Sequence, residues 1–276
     1  MERTLAWHRA QGHNLSKGST TLDATQQAFG QVLRELGLVT REQGNYARAN
    51  ALFEESLAFH RSVGDRACVA LAHIGLADVA RDQGDAARVR KYGEPALFVL
   101  RELGMPWAIG FTLHTLALSA YYADQLAEAA ALIRETEAVF RGLQSDGGLA
   151  EILITMGKIE RARGDMAASY TAMAEALRKA RAVGPRLFVT ASLEGLAAVV
   201  LAQDQAEHST RLLAMASALR LFMGTPVWLA DQAVIQASLA RSRSLLGDAA
   251  FSALWAQTHA LPLDQLLHMI MSSEDM

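Results

Sequence analysis

Apolar residues in this chain recur at three- and four-residue steps, in runs separated by short polar turns. After Asp124, the residues Leu126, Ala129, Ala130, Ile133 and Phe140 fall on one helical face, with Glu137 as a polar exception. An earlier run repeats the arrangement with Ala49, Leu52, Phe53, Ser56 and Leu57. This spacing fits the α-helical turn and not the two-residue alternation of a half-buried strand. The breaks are as regular as the runs. Gln43-Gly44-Asn45-Tyr46 is followed forty residues later by Gln83-Gly84-Asp85-Ala86. Ala123-Asp124-Gln125-Leu126, Arg163-Gly164-Asp165-Met166 and Gln203-Asp204-Gln205-Ala206 continue the series. Half a period away lie Gly64, Gly104, Gly184 and Gly224, a phase interrupted at Gln144 and flanked there by Gly142, Gly147 and Gly148. Glycine just past a helix takes the left-handed conformation that ends it, and a following Asp or Asn caps the next. Two stops per period predict two helices per repeat, each of about 16 to 18 residues and roughly 25 Å long.

The first helix of each repeat also carries a large residue followed by a small one. The pairs are Leu36-Gly37, Leu76-Ala77, Leu116-Ala117, Met156-Gly157 and Leu196-Ala197. Small side chains there allow two helices to approach closely. A large-then-small pair, a Gly-Asp/Asn turn seven residues later and an alanine beyond it (Ala49, Ala129) resemble the tetratricopeptide (TPR) signature. The forty-residue period exceeds the usual 34 of that family and resembles the extended TPRs of large bacterial signalling proteins. HEAT repeats share the length but not the signature. The resemblance covers residues 27–246 and implies an all-α fold: a right-handed α-solenoid of about five to six helix pairs. Around it we expect an N-terminal helix stub and loop over 1–26 and a C-terminal cap over 247–276.

A narrower resemblance lies near the C-terminus. Leu212-Leu213-Ala214-Met215-Ala216-Ser217-Ala218-Leu219-Arg220 is followed by Leu245-Leu246-Gly247-Asp248-Ala249-Ala250-Phe251, Trp255 and Ala260-Leu261-Pro262-Leu263-Asp264-Gln265. This order is similar to the last part of the TPR region in bacterial LuxR-type and MalT-like nucleotide-binding regulators. It implies the sensor or interaction module of a bacterial transcriptional or signal-transducing protein. Solenoid ends need a polar cover, so a short helix around Asp248–His259 should turn Phe251, Leu254 and Trp255 inward before Pro262 interrupts it. Asp264 starts a further expected helix. At the other end, Gln11 to Thr21 reads as a loop, and Trp7 on the stub hints at a self-associating face.

Composition narrows the function. Charge is nearly balanced at −3 over 276 residues, which excludes a domain-wide basic footprint for nucleic acid. With a single cysteine, Cys68, no internal disulfide forms, and a cytoplasmic setting fits. Cys68 reads as a small buried or half-buried thiol. No run suits a membrane span or a signal peptide. Phosphate-cradling glycine loops, a His-Glu-x-x-His zinc motif and a nucleophile elbow are all missing from the sequence. The eight histidines are scattered. We therefore expect no enzyme activity, no metal and no cofactor.

In the TPR pattern, the first helices line a concave groove that grips a partner. Carried over, the pattern implies groove positions at Arg34, Asp78, Arg81, Phe111, His114, Tyr121, Tyr122, Lys158, Arg161 and Glu194. The full set of groove positions, which also includes Arg41 and Asp82, holds as many acidic as basic residues, whereas a phosphate-backbone binder needs a basic excess. Phe111, His114, Tyr121 and Tyr122, flanked by Arg81 and Arg161, have the aromatic-plus-arginine character of a binding hot spot. The expected partner is a protein, a peptide or a small-molecule inducer, with self-association as the alternative. The Lys and Asn of a chaperone-carboxylate clamp are not at the required positions. Trp107 and Trp228, just after turn prolines, read as packing residues at helix starts.

Overall fold

The computed structural model describes residues 20–183, 186–225, 227, 229–262 and 265, and they fold into helices joined by tight turns. Left-handed residues recur every twenty positions: Gly44, Gly64, Gly84, Gly104, Asp124, Gln144, Gly164, Asp204 and Gly224 all have positive φ. The next residue at each turn donates its N–H back to the residue five before it, as in Asn45 N to Thr40 O at 3.1 Å and Asp165 N to Glu160 O at 2.9 Å. This is the six-to-one closure of a Schellman turn. Gln144, which interrupts the glycine phase in sequence, does not interrupt the geometry. It adopts φ 52° without glycine's freedom, and Ser145 N still closes onto Phe140 O at 3.4 Å. Side chains of Asn45, Asp65, Asp85, Ser145 and Asp165 then accept from the N–H three residues on, starting the next helix.

The chain divides into two compact units, Met1–Val139 and Phe140–Met276. The first unit holds α1 (Thr20–Glu42), α2 (Tyr46–Ser62), α3 (Arg66–Asp82), α4 (Ala86–Leu103) and α5 (Pro106–Tyr122), and most of α6 (Leu126–Gly142). The second holds the end of α6, then α7 (Asp146–Ala162), α8 (Met166–Val183), α9 (Arg186–Ala202), α10 (Ala206–Met223), α11 (Leu229–Leu246) and α12 (Asp248–His259). Among the described residues there is no strand. Helix α1 begins at Thr20, inside the segment expected as a loop, while residues 1–19, with Trp7 and the stub, lie outside the described residues. So do the helix expected from Asp264, all but Gln265, and Trp228.

Packing within each unit repeats the pairing. In the first, consecutive helices from α1 to α5 pack on one another, and the odd-numbered helices α1, α3 and α5 also pack side by side. In the second, α7, α9 and α11 do the same. The large-small pairs explain the close approach. Phe53 of α2 is fully buried and wedges between Gly37 of α1 and Gly75 of α3, where a Cβ would stand 2.8 and 2.3 Å from its ring. Three repeats later, Met173 of α8 fills the same gap between Gly157 and Gly195. In the repeat directly after Phe53 the order is reversed: Gly93 of α4 receives Leu116 of α5. Exposed ion pairs recur too: Arg101–Glu135 in the first unit and Arg141–Glu175, at 3.0 Å, in the second are one repeat apart. Each such surface pair contributes about 0–1 kcal/mol, so the apolar wedges set the stacking.

Candidate binding surfaces

On the face formed by α1, α3 and α5, four charges close into a box. Arg41 reaches Asp78 at 2.8 Å and Asp82 at 3.6 Å. Arg81 reaches Asp78 at 3.1 Å and Asp82 at 2.8 Å. Thr115 of α5 donates its hydroxyl to Asp78 at 2.7 Å, tying the third helix in. Burial alone would lower the pKa of Arg81, but Asp78 and Asp82, helped by Tyr122, outweigh it and hold the guanidinium above its ordinary value. Two arginines and two aspartates cancel, so the box offers an incoming ligand no net charge.

Aromatic area adjoins the box. Trp107 stacks on Phe111 with ring centroids 5.6 Å apart. Phe111, His114, Leu118 and Tyr122 follow at helical steps along α5, and Tyr121 meets Tyr122 at 5.4 Å. Trp107 is 49% exposed and Tyr122 50%, with Phe111 at 39%. Trp107 is therefore a surface residue, not the packing residue expected. Conversely His114 is only 4% exposed and belongs to the helix interface. It is the one aromatic of the expected cluster that the fold withdraws. Arg34, also expected in the groove, pairs with Glu35 beside it on α1.

In the second unit, Lys158, Arg161 and Glu194 come together around a hollow of only about 30 Å³. Lys158 is bound at 2.7 Å to Asp231 of α11. Glu194 is buried and held bidentately by Arg220 of α10, at 2.6 and 2.8 Å. Lys158 and Glu194 are committed to these partners, so they brace the helices and leave little for a ligand. A larger cleft lies between α10, α11 and α12, about 540 Å³, with the Glu194–Arg220 pair at its floor and Leu213, Leu239 and Trp255 on its walls. A second cleft of about 470 Å³ shares Leu239 and Trp255 with it and extends past Phe251. Leu221, on the wall of the larger cleft, and the next residue, Phe222, are 74% and 58% exposed. Of the described residues lining these clefts, only Glu194 was among the expected groove positions. The available signal was the apolar Leu221-Phe222 pair at the end of α10, where the repeat otherwise places a polar turn.

Residues 29–102 match the tetratricopeptide repeat family and form a tetratricopeptide repeat region, a kind of repeat that suggests a protein-interaction scaffold. In fold the chain is similar to a protein of known crystal structure, BtubC (BKLC) from P. vanneervenii. The TM-score is 0.67 at 15% sequence identity, over 82% of this chain and 91% of that one. At that identity the likeness is one of fold alone. No curated protein matches the chain. Among the described residues no helix is long and apolar enough to cross a membrane.

Proposed function

We propose that the α1–α3–α5 face binds a peptide or protein segment by its aromatic side chains, without catalysis. The observation that carries this reading is the exposed row Trp107, Phe111 and Tyr122 beside a charge box that is already neutral. Aromatic anchors next to arginine are the usual centres of protein interfaces. Because the box cancels its own charge, neither a phosphate backbone nor a strongly acidic peptide gains from it, and a segment with apolar anchors fits best. To test this, peptides would be selected from a random displayed library on the wild-type chain. Their affinity would then be measured for Phe111→Ala with Tyr122→Ala. At least a tenfold loss with unchanged circular dichroism is expected, since anchors of this kind are worth about 2 kcal/mol or more. Selected peptides that bind the double variant equally well overturn the assignment.

The cleft between α10, α11 and α12 favours a second reading, a small apolar inducer, because about 540 Å³ lies within the usual range for ligand sites. Trp255 fluorescence during titration with a small-molecule library tests it. Absence of any saturable change removes it. We also read the chain as the interaction module of a bacterial, cytoplasmic regulator, with residues 247–276 as its cap. Support for that reading is the segment order from Leu212 to Gln265. An ATPase or helix-turn-helix domain encoded contiguously is the expected finding, and its absence counts against the regulator.

A further inference from the structure

We propose that His60, Asp65 and Cys68 form a binding site for zinc or a similar borderline divalent cation. His60 ends α2, Asp65 caps α3 and Cys68 lies in its first turn, so the left-handed turn at Gly64 folds the three back onto one another. One donor atom from each lies within 4.8 Å of the others, and His60 Nδ1 is 3.7 Å from Asp65 Oδ2. Nitrogen, carboxylate and sulfur are the donor set zinc takes, leaving one position for water.

His60 is the independent pointer. It is 1% exposed, and neither ring nitrogen makes a hydrogen bond of sound geometry: Nε2 is only weakly engaged by the Gly30 backbone, and Nδ1 stands 3.7 Å from Asp65. At the equivalent position the next three repeats place Leu100, Phe140 and Ala180, all buried and apolar, and the fourth places Arg220, which is buried but held by Glu194. A polar group at this position is therefore either paired, as Arg220 is, or costly, because an imidazole without a sound hydrogen bond in the interior is unfavourable. Nε2 faces the backbone of Gly30, whose carbonyl already accepts the Ser56 hydroxyl at 2.9 Å. A proton on Nε2 leaves the Nδ1 lone pair aimed at Asp65, the orientation that metal-binding histidines commonly have. Burial keeps the imidazole neutral, as a ligand must be. Cys68 is a protonated thiol without metal, pushed up to about 11 by burial and by Asp65. On binding, the S–H bond breaks, the proton leaves to solvent and the sulfur lone pair forms the metal bond. Arg34, paired with Glu35, also faces the site and opposes the cation. Asp65 and the thiolate together outweigh that single charge.

The full chain, stripped by chelator and dialysed, would be titrated with Zn²⁺ by calorimetry and with Co²⁺ by absorption spectroscopy. We expect one ion per chain and a thiolate-to-cobalt charge-transfer band. Cys68→Ser should abolish that band. His60→Leu, the residue the next repeat uses, should fold and lose about a hundredfold or more in affinity, since even outer-shell changes cost tenfold to a hundredfold. Asp65→Asn keeps a capping side chain, as at Asn45, and should also weaken binding. No binding by the wild-type chain overturns the proposal. So does binding unchanged in the Cys68→Ser and His60→Leu variants, which would place the ion elsewhere.

Discussion

Gly75→Ala adds one methyl group to a helix, a change that elsewhere stabilises. Here the methyl would stand 2.3 Å from Phe53 Cε1 and 2.6 Å from Cζ, where carbon atoms prefer roughly 3.5–4.0 Å. The ring must shift by about 1 Å. It is fully buried and has Gly37 close behind it, so it has nowhere to go. Overpacking of this kind costs about 1–3 kcal/mol, and the rigid ring argues for the upper end. Alanine's higher helix propensity returns about 1 kcal/mol. The net loss is about 2 kcal/mol, a roughly thirtyfold fall in the folding constant. Gly195→Ala is the internal control. Its methyl would meet Met173 Sδ at 2.4 Å, but an unbranched thioether can swing aside. Overpacking and propensity then nearly cancel, and stability should stay within about 0.5 kcal/mol of wild type. Urea unfolding followed by circular dichroism measures both, and hydrogen exchange over α1–α3 localises the first. A Gly75→Ala chain as stable as wild type, or the same loss in both variants, refutes the wedge.

Gln144→Gly relieves the left-handed strain of a non-glycine residue and should stabilise by about 1 kcal/mol in urea unfolding. Glu194→Leu strands Arg220 in the interior and should cost about 3–5 kcal/mol; adding Arg220→Met should recover most of it, as a thermal melt of each would show. Burial, and then Arg211, lower the pKa of His208 below its ordinary value of 6.5. The unfolded chain therefore binds this proton more readily, and the stability His208 contributes is present above pH 6.5 and lost as pH falls through its folded value. NMR titration of its ring should place the midpoint below 6.5. Asp78→Asn uncovers charge on Arg41 and Arg81, so peptides selected on that variant should be more acidic, and their binding more salt-sensitive, than those selected on wild type.

The helices and their phase were legible because glycine and capping residues act locally. What marks a turn in sequence is the same residue that makes it. Gln144 shows the limit of that logic. Once the neighbouring turns fix the stacking, a poor left-handed residue is forced into the conformation, and the sequence interruption has no structural counterpart. Side-chain exposure was harder to read. Trp107 and His114 lie on the same helix, yet one faces solvent and the other is buried, because exposure depends on how closely the next helix approaches. His60, Asp65 and Cys68 escaped notice for a related reason: ligand spacings are sought along a single helix, whereas a Schellman turn brings the end of one helix over the start of the next.

The sequence shows how many charges the expected groove positions carry, and not how they are used. Equal numbers of acids and bases argue against a nucleic-acid partner in sequence, but they do not reveal that the charges face one another. In the structure, Arg41 and Arg81 on adjacent helices share Asp78 and Asp82, and Thr115 holds Asp78 from a third helix. A guanidinium that already has two carboxylate partners gives little to a ligand, because binding must first break what it replaces. The same holds for Lys158 with Asp231 and for Arg220 with Glu194. Within the first unit, partial burial makes the Arg41–Arg81–Asp78–Asp82 box stiff, and Thr115 ties it to the helix that carries Trp107, Phe111 and Tyr122. In the proposed site, recognition then rests on aromatic shape at a defined spacing, while the charges of the box keep the first unit's helices together.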